Sequence, residues 1–273
     1  MVLFEYEKGD LWAHHTLDEV PNTEKLTIHA HTGCELYCFL CGEGYYTVEG
    51  NHYLLSPGTI LLMRSGETHM PHIRATSPYE RIAVHFPLEY LAGEEPTLRA
   101  LFEDRPLGAD NCYPPDAADL DYVRSTLLRL CTPASDMTES RIRAYLIPVL
   151  YELASRRGRN ADTQPPPARP RDPLVIDIID YINSHLTEEF DLDELSRRFF
   201  FSKSHINKVF RAETGSSVWD YVVVKRLLLA RSLLHSGVSA AGAAARSGFS
   251  DYSSFFRLYR RRFGVSPAKD KGV

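Results

Sequence analysis

FDLDELSRRFFFSKSHINKVFRAETG, residues 190–215, reads as two short helices meeting at a tight break. Asp191 is an N-cap residue type, and Glu194 three positions later completes a capping-box pattern. Leu192, Leu195 and Phe199 recur at helical spacing and should face a core. Ser202 then caps a second helix with Ile206, Val209 and Phe210 on its apolar side, and Thr214-Gly215 supplies the stop. The opposite side carries Lys203, Ser204, His205, Asn207, Lys208 and Arg211. Asn reads adenine bidentately, while Lys and Arg reach guanine or phosphate, so this face has the chemistry of a recognition helix in a DNA major groove.

Downstream, VSAAGAAARSGFSDYSSFFRLYRRRFGVSP, residues 238–267, repeats the plan. Phe249, Phe255 and Tyr259 form the apolar side, and Ser250 or Asp251 is the cap. Tyr252, Ser253, Phe256, Arg257, Arg260 and Arg261 form the outward side, where an exposed Phe256 would suit a thymine methyl group. A single basic helix face is usually only a solvated face. Two capped, basic second helices in tandem point to double-stranded DNA, with Asn207, Lys208 and Arg257 as base readers and the remaining cations on phosphate.

The runs Phe-Arg-x-Glu-Thr-Gly (210–215), Gly-Phe-Ser-Asp (248–251) and Phe-Gly-Val-Ser-Pro (263–267) resemble the AraC/XylS family of bacterial transcription regulators over about the last hundred residues. The resemblance implies that 218–234 is a rigid connector helix, setting the recognition helices about one helical turn of DNA apart on one face of a bent duplex. It also implies a regulator, mostly of the activating kind, with RNA polymerase as a further partner. Two features depart from the pattern: Ala240 and Ala243 stand where large aliphatics are usual, with Gly242 weakening that helix further, and Val223, Val224, Leu228 and Leu229 stand where polar residues are common. The first suggests a softer second unit. The second reads either as a docking patch or as filling for core space left by the alanines.

The charge is unevenly spread. From residue 171 onward there are 16 Lys and Arg against 12 Asp and Glu, a balance of +4, and the remainder has 15 against 24, or −9. A basic module joined to an acidic one suits a regulated DNA binder. With 273 residues there is room for two cores, and no apolar run approaches the ~20 residues of a membrane span. The opening MVLFEYEKGD lacks the apolar stretch of a signal peptide, so a cytoplasmic, non-membrane protein is expected. Five cysteines (34, 38, 41, 112 and 131) suit free thiols; two residues separate Cys38 from Cys41, but no second such pair accompanies them.

From Lys25 to about Phe86 the pattern is β: KLTIHAH, ELYCFLCG, GYYTVEG, HYLLSPG and TILLM, with turns at Gly42-Glu-Gly44, Gly50-Asn51 and Pro57-Gly58. The spacings His29-x-His31-x3-Glu35-x6-Gly42 and Gly58-x5-Arg64-x-Gly66-x2-His69 resemble the two motifs of the cupin barrel, with Arg64 where proline is usual and without a late asparagine. On one extended strand, residues 29, 31, 35 and 37 share a side. His29, His31 and Glu35, with His69 from a neighbouring strand, would then converge on one divalent metal. Two other readings stay open: a metal-free polar pocket for a small organic effector (His29, His31, Glu35, Tyr37, His69 and His85, with Phe39 and His72 adding lining), or a purely structural cluster. A metal-dependent cupin enzyme fused to a DNA-binding domain is the rival of another class, and the attached DNA-binding half argues against it.

Between Asp116 and Arg157, Leu120, Val123, Leu127 and Leu130, then Ile142, Tyr145, Leu146, Val149 and Leu153, recur at helical spacing. These helices either form the homodimer surface, as the resemblance implies, or cover an open side of the barrel. RRGRNADTQPPPARPRDP, 156–173, reads as a linker, and Asp172-Pro173 starts the next helix. The expected architecture is two domains: an N-terminal all-β cupin-like barrel (1–110) with an appended helical dimerisation segment (111–158), a Pro-rich linker (159–173), and a C-terminal all-α tandem helix-turn-helix domain (174–273). The expected function is a DNA-binding regulator that answers to an effector, carbohydrate-related because the pocket looks polar, or to a metal.

Overall fold

The computed structural model describes residues 1–113, 120–134, 137–159 and 172–270, with side chains at 120 and 157–159 excepted. The chain divides into two compact units, one comprising Met1–Leu26 and Gly33–Pro170, the other Thr27–Thr32 and Arg171–Val273. Most of the linker expected at 159–173 lies outside the described residues.

In the first unit, antiparallel strands β1 (Val2–Lys8), β2 (Leu11–Asp18), β3 (Cys34–Cys41), β4 (Gly44–Val48), β5 (Asn51–Leu54), β6 (Ile60–Met63), β7 (His69–Ile73), β8 (Tyr79–Phe86) and β9 (Cys112–Tyr113) form two sheets. Their orders are β1-β2-β8-β3-β6-β9 and β5-β4-β7. Strand β3 shows why. Its alternate residues Cys34, Leu36, Cys38 and Leu40 join one apolar core, and Tyr37 and Phe39 join another on the opposite face. The first core is closed by helices α1 (Pro96–Glu103), α2 (Leu120–Leu130) and α3 (Glu139–Arg159), through Leu98, Val123, Leu127, Ile142, Leu146, Val149 and Leu153. The helical periodicity at 123–153 therefore covers the outer face of the larger sheet. The second core lies between the two sheets, where Tyr46 and Val48 of β4 and Tyr53 of β5 meet Tyr37, Phe39 and Leu61. Glu49 and Gly50 both have positive φ (48° and 82°), the two-residue turn that matches strand twist between β4 and β5.

Three sequence expectations change here. The hairpin β1–β2 precedes the expected start of β structure at Lys25; Gly9-Asp10 is its turn. KLTIHAH is not a strand, and β3 begins only at Cys34, so His29 and His31 do not share one extended strand with Glu35 and Tyr37. The reason is pairing: Cys34 lies opposite Phe86, and the next residue on β8's side is Pro87, which lacks an N–H and ends the ladder. The barrel also continues past 110 through β9, which pairs with β6.

Glu67 holds this unit together. Its carboxylate is fully buried against the Arg105 guanidinium, with Nη1–Oε1 2.7 Å and Nη2–Oε2 2.8 Å. It also accepts from the Arg64 and Gly108 main-chain N–H groups (both 2.9 Å) and from Asn111 Nδ2 (2.9 Å). Burial alone would raise its pKa, but the Arg105 and backbone donors outweigh that and hold it below the ordinary value.

In the second unit, α4 (Pro173–Ser184), α5 (Leu192–Phe199) and α6 (Lys203–Thr214) form one core with the start of α7 (Val218–His235). The second half of α7, α8 (Ala240–Arg246) and α9 (Tyr252–Phe263) form another. Asp172 and Ser202 cap α4 and α6, and Gly215 ends α6 in the left-handed region. Asp191 caps α5 through Asp193 N, but Glu194 does not reach back to complete a capping box: its Oε1 accepts from Tyr181 OH (2.7 Å). Ala243 and Ala244 are buried, and Val223 of α7 packs in the same core. Asp270 accepts from Tyr259 OH (2.6 Å), His235 Nε2 (3.0 Å) and Arg231 Nε (3.1 Å), pinning the last described residue to α7 and α9.

Replacing one member of the buried pair strands the other. Glu67→Ala or Arg105→Met should destabilise the first unit by about 3–5 kcal/mol, followed by Trp12 fluorescence during urea unfolding in a Trp219→Phe background, since the chain has two tryptophans. A depressed carboxylate pKa stabilises above its unfolded value and ceases to as pH falls through the folded one. Wild-type stability should therefore fall below about pH 4.5 more steeply than that of Glu67→Gln.

Candidate DNA-binding surface and barrel site

On α6 the structure leaves Lys203, Ser204, His205, Lys208 and Arg211 exposed, while Ile206 and Phe210 are buried. Ser202 Oγ accepts from His205 N (3.2 Å), so the cap also fixes where the recognition helix starts. Lys203 pairs with Asp193 at 2.7 Å, both more than half exposed, an arrangement of small energetic weight. The His205 ring stacks on Phe201 at 4.8 Å. Asn207 departs from the expected base-reading role: its Oδ1 accepts from the Val218 main-chain N–H (3.2 Å) and so caps α7.

Helix α9 begins at Asp251, whose carboxylate accepts from Ser253 N (3.2 Å) and Ser254 N (2.8 Å); hydrogen bonding by the Ser254 side chain, then by these two N–H groups, depresses its pKa. Tyr252, Ser253, Arg257, Arg260 and Arg261 are exposed, and the Arg257 guanidinium donates to Ser254 Oγ (3.2 Å). Phe256 is half-buried, not fully outward, with its ring 6.5 Å from that of Tyr252. Both helices thus start at a side-chain cap, and Lys208, Arg211, Arg257, Arg260 and Arg261 are exposed on their polar sides. That is the equipment for holding phosphate and reading base edges. Phe200, in the break between α5 and α6, is 91% exposed with a left-handed φ of 59°, a placement that helical spacing alone does not mark.

Between the sheets of the first unit lies a second constellation. Glu35 Oε2 is 3.0 Å from His69 Nε2, and Oε1 is 3.8 Å from His85 Nε2; all three residues are buried. His69 Nδ1 lies 2.8 Å from the Glu67 carbonyl, which orients the ring. His85 faces Glu35 across the β8–β3 ladder and stacks on Trp12 at 4.9 Å, with His14 beside Trp12 at 4.2 Å. Tyr46 stands 6.0 Å from His69, and Tyr37 OH meets Tyr79 OH at 3.0 Å. Burial holds Tyr37 and Tyr46 well above the ordinary tyrosine pKa, so both are neutral hydroxyls.

The structure therefore joins Glu35, Tyr37, His69 and His85 of the expected pocket, and adds Trp12 and His14 from the unforeseen hairpin. Their signal was the alternation in LWAHHTLD. His29 and His31 lie on Thr27–Thr32, which groups with the second unit, and their rings meet edge to face at 5.2 Å. His72 is not lining: opposite Tyr45 in the β4–β7 pairing, it stacks on that ring at 4.3 Å, on the face away from Tyr46. Burial, then nearby His52, lowers its pKa to about 4. Cys34, Cys38, Cys112 and Cys131 are buried thiols pushed up to about 12, chiefly by burial, and Cys41 is exposed; all five are free.

The model of an AraC-like ligand binding domain matches residues 21–116, and that of a helix-turn-helix domain matches 195–271. The chain belongs to the AraC family. It is a DNA-binding transcription regulator whose N-terminal unit is a ligand-binding domain, and the Glu35 cluster lies within that domain. Among its relatives, the HTH-type transcriptional activator RhaS of Escherichia fergusonii is 26% identical over 250 residues, covering 88% of this chain and 85% of that protein. RhaS of Citrobacter koseri is 24% identical over 246 residues, with the same coverage. Among solved structures, the DNA-binding domain of AdpA in complex with a target DNA is 33% identical, covering 36% of this chain and 87% of that one, TM-score 0.34. ToxT of Vibrio cholerae is 10% identical, covering 95% and 96%, TM-score 0.39.

Within this family member the two polar side chains Asn207 and Arg257 should behave differently. Asn207→Ala should lower stability of the second unit by about 1 kcal/mol, the value of a helix cap, and leave the order of preferred DNA sequences unchanged. Arg257→Ala should weaken binding by about 1–3 kcal/mol and relax preference at one base position. Thermal melts and binding to a panel of single-base operator variants read the two effects apart.

Proposed function

We propose that the protein is a cytoplasmic, homodimeric transcription activator that is not an enzyme and that answers to a small polyhydroxylated, carbohydrate-like effector bound between its sheets. One observation carries the effector class: the buried Glu35 carboxylate opposed by His69 at 3.0 Å and His85 at 3.8 Å, with Trp12 stacked on His85. A carboxylate accepts two hydroxyl hydrogens at once, imidazoles and neutral tyrosines complete the donors and acceptors, and an indole face packs on sugar C–H groups. The relatives' description as transcriptional activators supports the direction of control, and RNA polymerase is then a partner. No helix among the described residues is long and apolar enough to cross a membrane.

Control follows from differential affinity: the effector shifts the protein only by as much as it binds one state better than the other. On DNA, Lys203, Ser204, His205, Lys208 and Arg211 of α6 and Tyr252, Ser253, Phe256, Arg257, Arg260 and Arg261 of α9 form the contact set. Asn207 supports it from behind.

A second reading is favoured by the same donors. Imidazole and carboxylate are ligand types for first-row divalent ions, and Glu35 lies 3.0 Å from His69 and 3.8 Å from His85. Elemental analysis separates the readings: about one metal per chain, absent from His69→Ala, supports the metal, and none in either supports the organic effector.

For the effector, a panel of monosaccharides and sugar acids is screened by thermal shift. A cognate ligand at about 100 times its Kd should stabilise the first unit by roughly 2.7 kcal/mol. Glu35→Gln with His69→Gln should lose that stabilisation yet keep DNA affinity within about twofold. A sugar response that survives both substitutions moves the effector elsewhere.

A further inference from the structure

The two halves of the DNA-binding unit have separate cores. Val218, Tyr221 and Val222 of α7 pack with α4, α5 and α6, whereas Val223, Leu227, Ala230 and Leu234 pack with α8 and α9. The boundary falls between adjacent residues, 222 and 223. One helix running through two cores transmits orientation, but it bends and twists where no third element braces it.

A brace is present at that junction. The Arg226 side chain is 95% covered, and its guanidinium is satisfied by main-chain carbonyls alone. Nε donates to Leu186 O (2.8 Å) and Nη2 to Glu188 O (2.5 Å), both in the α4–α5 loop of the first half. Nη1 donates to Gly248 O (2.7 Å), in the α8–α9 turn of the second half. That turn immediately precedes Asp251, the cap that starts α9. Gly248 has φ +87°, and a Cβ there would lie 3.0 Å from Arg226 Nε and Cζ and 3.0 Å from Thr187 Cα. The backbones of the two halves therefore touch over the guanidinium. Only a glycine lets them close.

We propose that Arg226 is a positioning residue for operator spacing: by tying the α4–α5 loop to the α8–α9 turn it fixes the distance and angle between α6 and α9. The planar guanidinium spreads these bonds over three separate nitrogens in a fixed fork, whereas an ammonium carries all of its donors on one. Nothing about the base contacts themselves depends on Arg226. Its effect falls on how severely the protein rejects half-elements that are correctly sequenced but wrongly spaced. The inference rests on the reading that α6 and α9 engage one duplex together.

The test uses the full chain and a bipartite site selected from random duplex DNA by the wild-type protein. Affinity is measured for that site, for the same site with one base pair inserted between its half-elements, and for one with either half-element scrambled. The wild type should lose at least about tenfold on insertion. Arg226→Lys should bind the selected site more weakly, lose less than about threefold on insertion, and retain the wild-type ranking of base changes within each half-element. A general loss of stability would lower all affinities together and leave the insertion penalty intact. Gly248→Ala, which keeps the guanidinium but wedges the halves apart, is scored in the same way and decides the matter if Arg226→Lys does not fold. A full insertion penalty in a folded variant overturns the proposal. Should the wild type itself show no insertion penalty, the reading of two helices on one duplex fails first, and the inference with it.

Discussion

The Glu67 carboxylate, with no solvent access and five donors around it, is the constraint on which the first unit's geometry depends. A buried ion pair is weak evidence for net stability, because desolvation cancels much of the attraction; its loss of one partner is what costs. Here the pair does more than bind two charges. It closes 64–67 against 105–111, and Arg105 also donates to the carbonyls of Leu62, Leu101 and Ala109, so one guanidinium satisfies the ends of β6, α1 and the loop that leads to β9. The consequence reaches the barrel site. His69 begins two residues after Glu67, and its Nδ1 contacts Glu67's own carbonyl, so the imidazole that faces Glu35 is aimed by the same residue that anchors the loop.

The second unit meets the opposite problem. Short helices such as α5 and α8 are not stable in isolation and depend on caps and packing. Asp191, Ser202, Ser217, Ser239 and Asp251 each place a side-chain oxygen on the first free N–H groups of a helix. Asn207 adds a cap from outside, holding the start of α7 from the middle of α6. The recognition helix is thereby fixed to the connector by a side chain on its own polar flank. That bond commits the Asn207 carboxamide oxygen to architecture.

These arrangements explain which parts of the sequence could be read directly. Caps, left-handed glycines and the 3.6-residue period are local, so both helix-turn-helix units, the helices at 123–153 and the turns of the β unit are legible. What failed was decided by partners far away in sequence. The alternation in KLTIHAH looked like the start of β3, yet a strand extends only while a neighbour offers N–H groups, and Pro87 withdraws them opposite that stretch. Strand β2 carries the same alternation, but nothing within it marks β8 as the partner that brings Trp12 and His14 to the site. His72 fell to parity: three residues beyond His69 on one strand, it points to the other face. The capping box at Asp191 lost Glu194 to Tyr181, a competitor that sequence spacing does not display.

Charge and geometry divide the work of recognition. In the proposed contact set, the cations on α6 and α9 would gain affinity by releasing counter-ions from phosphate, a contribution indifferent to sequence and weakened by salt. An acidic remainder of −9 repels phosphate and so opposes non-specific adhesion along a duplex. Discrimination must then come from contacts that fit only when both helices are seated together. Each half has its own core, so neither α6 nor α9 informs the other through packing; the information passes along α7 and across the carbonyl-bound guanidinium of Arg226. A regulator built this way keeps α6 and α9 in separate cores and stores the spacing between them at a single buried junction.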